Sequence, residues 1–154
     1  MHVEEVKEKH IPQILEIWID LMDYHKDIDS FFSRRSDGHI NYEKFIHECM
    51  QSDKSTVLVA IENETVVGVV HGCIEKHPPV FEIEEYGLIH FMAVKEEFRR
   101  KKIAHELVKK LIEWFHSKNI SRIELHCSVK NSVGHNFWKS QGFDEYTYLM
   151  YLKQ

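Results

Sequence analysis

The run AVKEEFRRKKIAHELVKKLIEWF, from Ala93 to Phe115, begins as an apolar strand and ends as an amphipathic helix. Four cations stand in a row at the junction: Arg99, Arg100, Lys101 and Lys102. A strand that turns straight into a helix aims the helix's first unpaired N–H groups past the strand end, and with the helix dipole they favour an anion there. Cations at that end oppose the dipole by roughly a few tenths of a kcal/mol each, and the arrangement makes sense if an anion such as a pyrophosphate sits among them. A solvated charged turn would carry the same residue types, and the order of the surrounding elements has to decide between the two.

Other reactive side chains are scattered. The chain has 12 histidines and 3 cysteines, Cys49, Cys73 and Cys127. No His-x3-His or paired-Cys spacing stands beside further ligands, so no metal site is expected. Three distant cysteines read as reduced thiols of a cytoplasmic protein. A length of 154 residues fits one domain, 1–154, with a real core. The net charge of -5 argues against a nucleic-acid or membrane-surface binder, which would need a basic face. The opening MHVEEVKEKH has no apolar core of a signal peptide, and no apolar run reaches the roughly 20 residues of a membrane span.

The elements that must position the cations follow from periodicity. Ile11, Ile14, Leu15, Trp18, Leu21 and Met22 share a helical face, with Pro12 in the first turn, predicting a helix over 11–24. A second helix is expected at 41–51, capped by Asn41, with Tyr42, Phe45, Ile46 and Cys49 as its stripe. TVLVAI from Thr56 and VVGVVHGCI from Val66 flank the turn ENET and read as a hairpin, with Gly68 and Gly72 marking a bulge or a close approach. A third strand covers 86–94. A helix over 102–117 follows, striped by Ala104, Leu107, Val108, Leu111, Ile112 and Phe115. RIELHCSV, 122–129, alternates as a strand; Asn131 caps a short helix through Ser140; Gly142 suits a left-handed helix end; and YTYLMYL, 146–152, reads as a last strand. With a short strand before the first helix, the order β-α-α-β-β-β-α-β-α-β predicts an α/β (α+β) fold with a mixed central sheet and about four helices.

Three motifs in that order resemble the GNAT N-acetyltransferase superfamily over nearly the whole chain. RRKKIA resembles the family's Arg/Gln-x-x-Gly-x-Gly/Ala loop, with Arg99 at its first position, Lys102 at the central glycine and Ala104 at the last. NSVGHNFWKSQGF resembles the Asn-x-x-Ala-x-x-aromatic-aromatic-x-x-x-Gly-Phe helix and turn. FMAV resembles the strand that opens a splay in the sheet. The resemblance implies an acetyltransferase that uses acetyl-CoA and no metal. Met92 and Val94 would pair with the pantetheine arm. Arg99, Arg100, Lys101, Lys102, Ile103 and Ala104 would hold the pyrophosphate. Asn131, Phe137 and Trp138 would border the thioester.

Two departures stand out. Lys102 replaces a glycine, and for a lysine to serve there its φ should be negative. Trp138 stands where many members place a tyrosine that protonates the leaving thiolate, and an indole is no practical acid.

Acetyl transfer to an amine needs a neutral nitrogen, hence a general base. His90 lies two residues before Met92, so strand alternation places both on one face. Some arylalkylamine-type members carry a histidine at this offset, which makes His90 the candidate catalytic base; a packed cleft histidine is the plainer reading. Glu84 and Glu85 are alternatives acting through water. The acceptor pocket, by the resemblance, is bordered by the first two helices and the loop before the splayed strand. These carry Asp20, Asp23, Asp27, Asp29, Glu82, Glu84 and Glu85 among Trp18, Tyr24, His25, Phe31 and Phe32. Acids and aromatics together suit a cationic small-molecule or peptide amine. The expected function is transfer of acetyl from acetyl-CoA to a primary amine, with a non-catalytic acyl-CoA-binding domain as the alternative. A homodimer is a possible further partner arrangement.

Overall fold

In a computed structural model that describes residues 1–153, nine elements follow in order. They are β1 (His2–Glu5), α1 (Ile11–Ile28), α2 (Gly38–Met50), β2 (Ser55–Glu62), β3 (Thr65–Lys76), β4 (Glu85–Val94), α3 (Ile103–Ser117), β5 (Ile123–Leu125) and α4 (Ser132–Ser140). The five strands lie in the order β1-β2-β3-β4-β5, antiparallel except for the β4–β5 pair, which is parallel. This is the mixed sheet expected, and α3 supplies the crossover that a parallel pair needs. No helix among the described residues is long and apolar enough to cross a membrane.

Each face of the sheet buries its own core. α1 and α2 lay Ile11, Ile14, Ile17, Ile46 and Cys49 on Val57, Val59, Val66 and Val69. α3 lays Ile103, Leu107, Leu111 and Phe115 on the opposite face, against Val67, Val70 and Ile89. Phe115 fits because Gly87 lies under it: a Cβ at Gly87 would stand 2.6 Å from the ring. That close approach, rather than any unusual φ, is why glycine interrupts β4.

Four features differ from expectation. α1 runs on to Ile28, past the expected end at 24. α2 begins at Gly38, three residues before Asn41, with Asp37 at the cap position. The strand expected over 122–129 pairs only at 123–125, because the chain beyond it parts from β4. Residues 146–152 form no ladder: Tyr146, Tyr148, Leu149, Met150, Tyr151 and Leu152 are 78–92% exposed.

The α1/α2 core also holds His71, which is 1% exposed. Its Nε2 lies 2.9 Å from Ser55 Oγ and 3.4 Å from Cys49 Sγ, while its Nδ1 has no partner. Burial, and then the neighbouring His90, pull its pKa down from 6.5 to about 4. The unfolded chain therefore takes up this proton first. The neutral ring's stability is complete above pH 6.5 and is lost as the pH falls toward 4, a difference of about 2 kcal/mol between pH 7 and pH 5. Urea titrations at the two pH values should show that loss, with the slope shallower by about this amount in His71→Gln. An equal slope in the variant would contradict the assignment.

Candidate active site

β4 carries the site because its two edges part company. Through Ile89 it is flanked by β3 and β5; beyond Ile89–Leu125 only β3 continues, as far as Val94–Gly68. The backbone around Met92 and Val94 thus borders an open edge, where the Val94 carbonyl accepts a hydrogen bond from Arg99 Nε at 3.4 Å. Across the gap, Asn131 caps α4: its Oδ1 accepts from the Gly134 N–H at 3.0 Å and from the Tyr24 hydroxyl at 3.3 Å. Tyr24 comes from α1, so the cleft between β4 and β5 has a phenol reaching over to the far wall. Expectation placed Tyr24 only among the acceptor-side aromatics. Its partner is 107 residues away, and no local pattern signals that pairing.

The loop from β4 to α3 takes a shape its sequence disguises. Arg100 and Lys102 both lie in the left-handed region, at φ 61° and 63°. The expectation of a negative φ at Lys102 is therefore corrected: the lysine adopts a left-handed backbone of the kind that favours glycine. Alternation of left-handed with ordinary residues turns successive N–H groups inward, forming a concavity that suits an anion. Among the described residues, no protein acceptor takes the N–H groups of Arg100 through His105, and Lys102 caps α3 with no side-chain bond.

A lysine at that φ stores strain of about 1–2 kcal/mol, part of which glycine returns as unfolded-state entropy. Lys102→Gly should accordingly raise stability by about 1 kcal/mol, read as a higher melting temperature. A lower one would contradict the strain assignment.

His90 does not share a face with Met92. A β-bulge shifts the register between His71–Phe91 and Gly72–Ile89, leaving His90 as the extra residue. Its ring stacks on His71, at 5.1 Å between centroids, and meets Phe45 edge-on at 6.2 Å; both are on the α1/α2 side. Met92 and Val94 pack instead with the α3 core. Alternation fails here because a bulge puts two consecutive residues on one side. His90 is exposed at its rim, but desolvation of the ring face packed on His71 and Phe45 is the main influence and lowers its pKa from 6.5, so the ring is neutral, with a free lone pair, at neutral pH.

Around the helix-side mouth, three of the expected acids are already engaged. Asp29 pairs with Lys130 at 2.7 Å, Asp23 with Arg34 at 3.2 Å, and Glu85 with Lys54. Asp20, Asp27, Glu82 and Glu84 are in no ion pair among the described residues. An aromatic chain runs from Tyr24 through His25 and Phe32 to the exposed Phe31. Phe137 and Trp138 lie edge to face, 5.0 Å apart, with Trp138 packed against the α3 core and Phe143. Cys73, 8% exposed, carries a thiol pushed up to about 12 by burial and then by Glu75; it is protonated at neutral pH and no nucleophile.

Comparison with known proteins gives the arrangement its setting. No curated protein matches the sequence. Among solved structures, the tetramutant of the BH1408 protein from Bacillus halodurans superposes with a TM-score of 0.88 at 19% identity, covering 100% of both chains. The aminoglycoside antibiotic 6'-N-acetyltransferase AAC(6')-IG from Acinetobacter haemolyticus gives 0.80 at 16%, covering 100% of this chain and 98% of that one. Aminoglycoside N-acetyltransferase AAC(6')-Iy in complex with CoA gives 0.76 at 14%, covering 99% and 98%. At these identities the likeness is one of fold. The sequence model of the acetyltransferase (GNAT) family matches residues 16–143, most of the chain and every element from within α1 to α4. With the splayed strands, the capped α4 and the open amide loop in the family's order, the chain belongs to the GNAT family and is an N-acetyltransferase of that type.

Proposed function

We propose that this enzyme, a single domain over residues 1–154, moves an acetyl group directly from acetyl-CoA to a primary amine of a small-molecule or peptide acceptor in the cytoplasm. The observation that carries the reading is the loop of unpartnered N–H groups, Arg100 to His105, beside the open edge of β4. Its donors and its Arg and Lys side chains fit a pyrophosphate. An unpaired strand edge fits a chain of amides such as pantetheine. Arg99, Arg100, Lys101, Lys102, Ile103 and Ala104 would hold the first; Met92 and Val94, with Asn131, Phe137 and Trp138 opposite, would flank the second. When bound, acetyl-CoA supplies an activated acyl group.

The chain's own groups handle the protons and the approach. His90, on the α1/α2 side of the bulge, takes the proton of the incoming amine at a ring nitrogen. The bulge brings this base on the strand's face next to the strand's open edge, so an acceptor and a thioester can meet there without crossing the sheet. Trp138 cannot protonate the departing sulfur. We assign that proton to the Tyr24 hydroxyl; the support is its hydrogen bond to Asn131 Oδ1, at 3.3 Å, on the residue proposed to border the thioester. The unpaired acids and the aromatic chain from Tyr24 to Phe31 favour a cationic amine. The structural neighbours named as aminoglycoside acetyltransferases make polycationic amino-sugars the first class to try.

The reading is checked by release of free thiol from acetyl-CoA over a panel of aminoglycosides, small amines, peptide N-termini and lysine peptides. Amine-dependent release with at least one class is expected. CoA binding with no release from any of them would contradict transferase function.

A further inference from the structure

The fold gathers three side chains that no sequence spacing connects. Cys73 and Glu75 alternate onto the α1/α2 face of β3, and the bulge turns His90 of β4 onto the same face. One ligand atom from each lies within 4.8 Å of the others, and the Cys73 thiol donates to Glu75 Oε1 at 3.4 Å. We infer that Cys73, Glu75 and His90 form a site for a thiophilic divalent cation such as zinc, and that its occupation switches the enzyme off. A thiolate, an imidazole and a carboxylate are a zinc-type donor set, and binding at about 2.0–2.3 Å from each needs only a small closing of the cluster. Glu75 and His90 are solvent-exposed, so water completes the coordination. Two anionic ligands balance the ion's charge, with the Cys73 proton released to solvent. The inhibitory half rests on His90 being the base: a ring nitrogen bound to metal cannot accept a proton.

Cobalt(II) is the probe, because thiolate ligation gives a near-ultraviolet charge-transfer band independent of activity. One saturable equivalent with that band is expected. Cys73→Ser should lose the band, and Glu75→Gln, a change at an exposed position, should weaken binding by at least about tenfold. No band, or one that survives Cys73→Ser, would overturn the site. Zinc should inhibit thiol release by the parent enzyme, and Glu75→Gln should need at least about tenfold more zinc. Metal binding without inhibition would overturn the switch while leaving the transferase reading intact.

Discussion

His90→Gln is expected to lower turnover about 10²-fold or more while leaving CoA affinity within about twofold, because general-base assistance contributes about 10²–10⁴ to rate. The acceptor amine arrives mostly protonated at neutral pH, and a base must be neutral to take its proton. Desolvation of its packed ring face lowers the His90 pKa from 6.5, so the parent enzyme's rate should hold at neutral pH and fall only in acid, with the midpoint of the acidic limb below 6.5. Glutamine keeps the size and a polar end but cannot titrate, so that limb should vanish in the variant. The pH profile distinguishes a base from a packing residue, since a lost ring stack on His71 would lower activity without erasing a titration. A variant with near-normal turnover and an unchanged profile would return His90 to the role of a cleft residue stacked on His71.

Arg100→Glu is expected to weaken CoA binding by about 1–3 kcal/mol, roughly five- to 150-fold in Kd, for loss of a charge-assisted contact to phosphate and its replacement by a like charge. The fold should be unaffected, because Arg100 is exposed and is in no ion pair among the described residues, and glutamate meets the same left-handed backbone requirement. The effect should shrink as salt is raised, since screening weakens exposed charges. Calorimetry giving equal affinity for the variant would contradict the placement of pyrophosphate at this loop.

How much of this was legible in the sequence depended on the range of the interactions involved. The stripe Leu107, Val108, Leu111 and Phe115, the Asn131 cap and the left-handed Gly142 are local matters of spacing and side-chain reach, and the structure has all of them. The position of the cation row was local too, since it follows from where a strand ends and a helix begins. What escaped was set by pairing between distant segments. The face of His90 depends on how β4 registers with β3, and one extra residue at the bulge reversed it relative to Met92. The Tyr24–Asn131 contact and the Cys73–Glu75–His90 group arise only after the sheet has formed. Lys102 was misjudged for another reason: its φ follows from the loop's path between fixed elements, which overrides the residue's own preference at a tolerable strain. The tail had the composition of a strand, but composition does not provide the edge with which a strand must pair.

The most direct measurement is a CoA titration followed by amide NMR of the full chain. If the parting of β4 and β5 is the site, the largest shifts should fall on the N–H groups of Arg100 to Ala104, on the open edge around Met92 and Val94, and on Asn131 across the gap. Shifts confined to other surfaces, or no saturable shifts at all, would contradict the account.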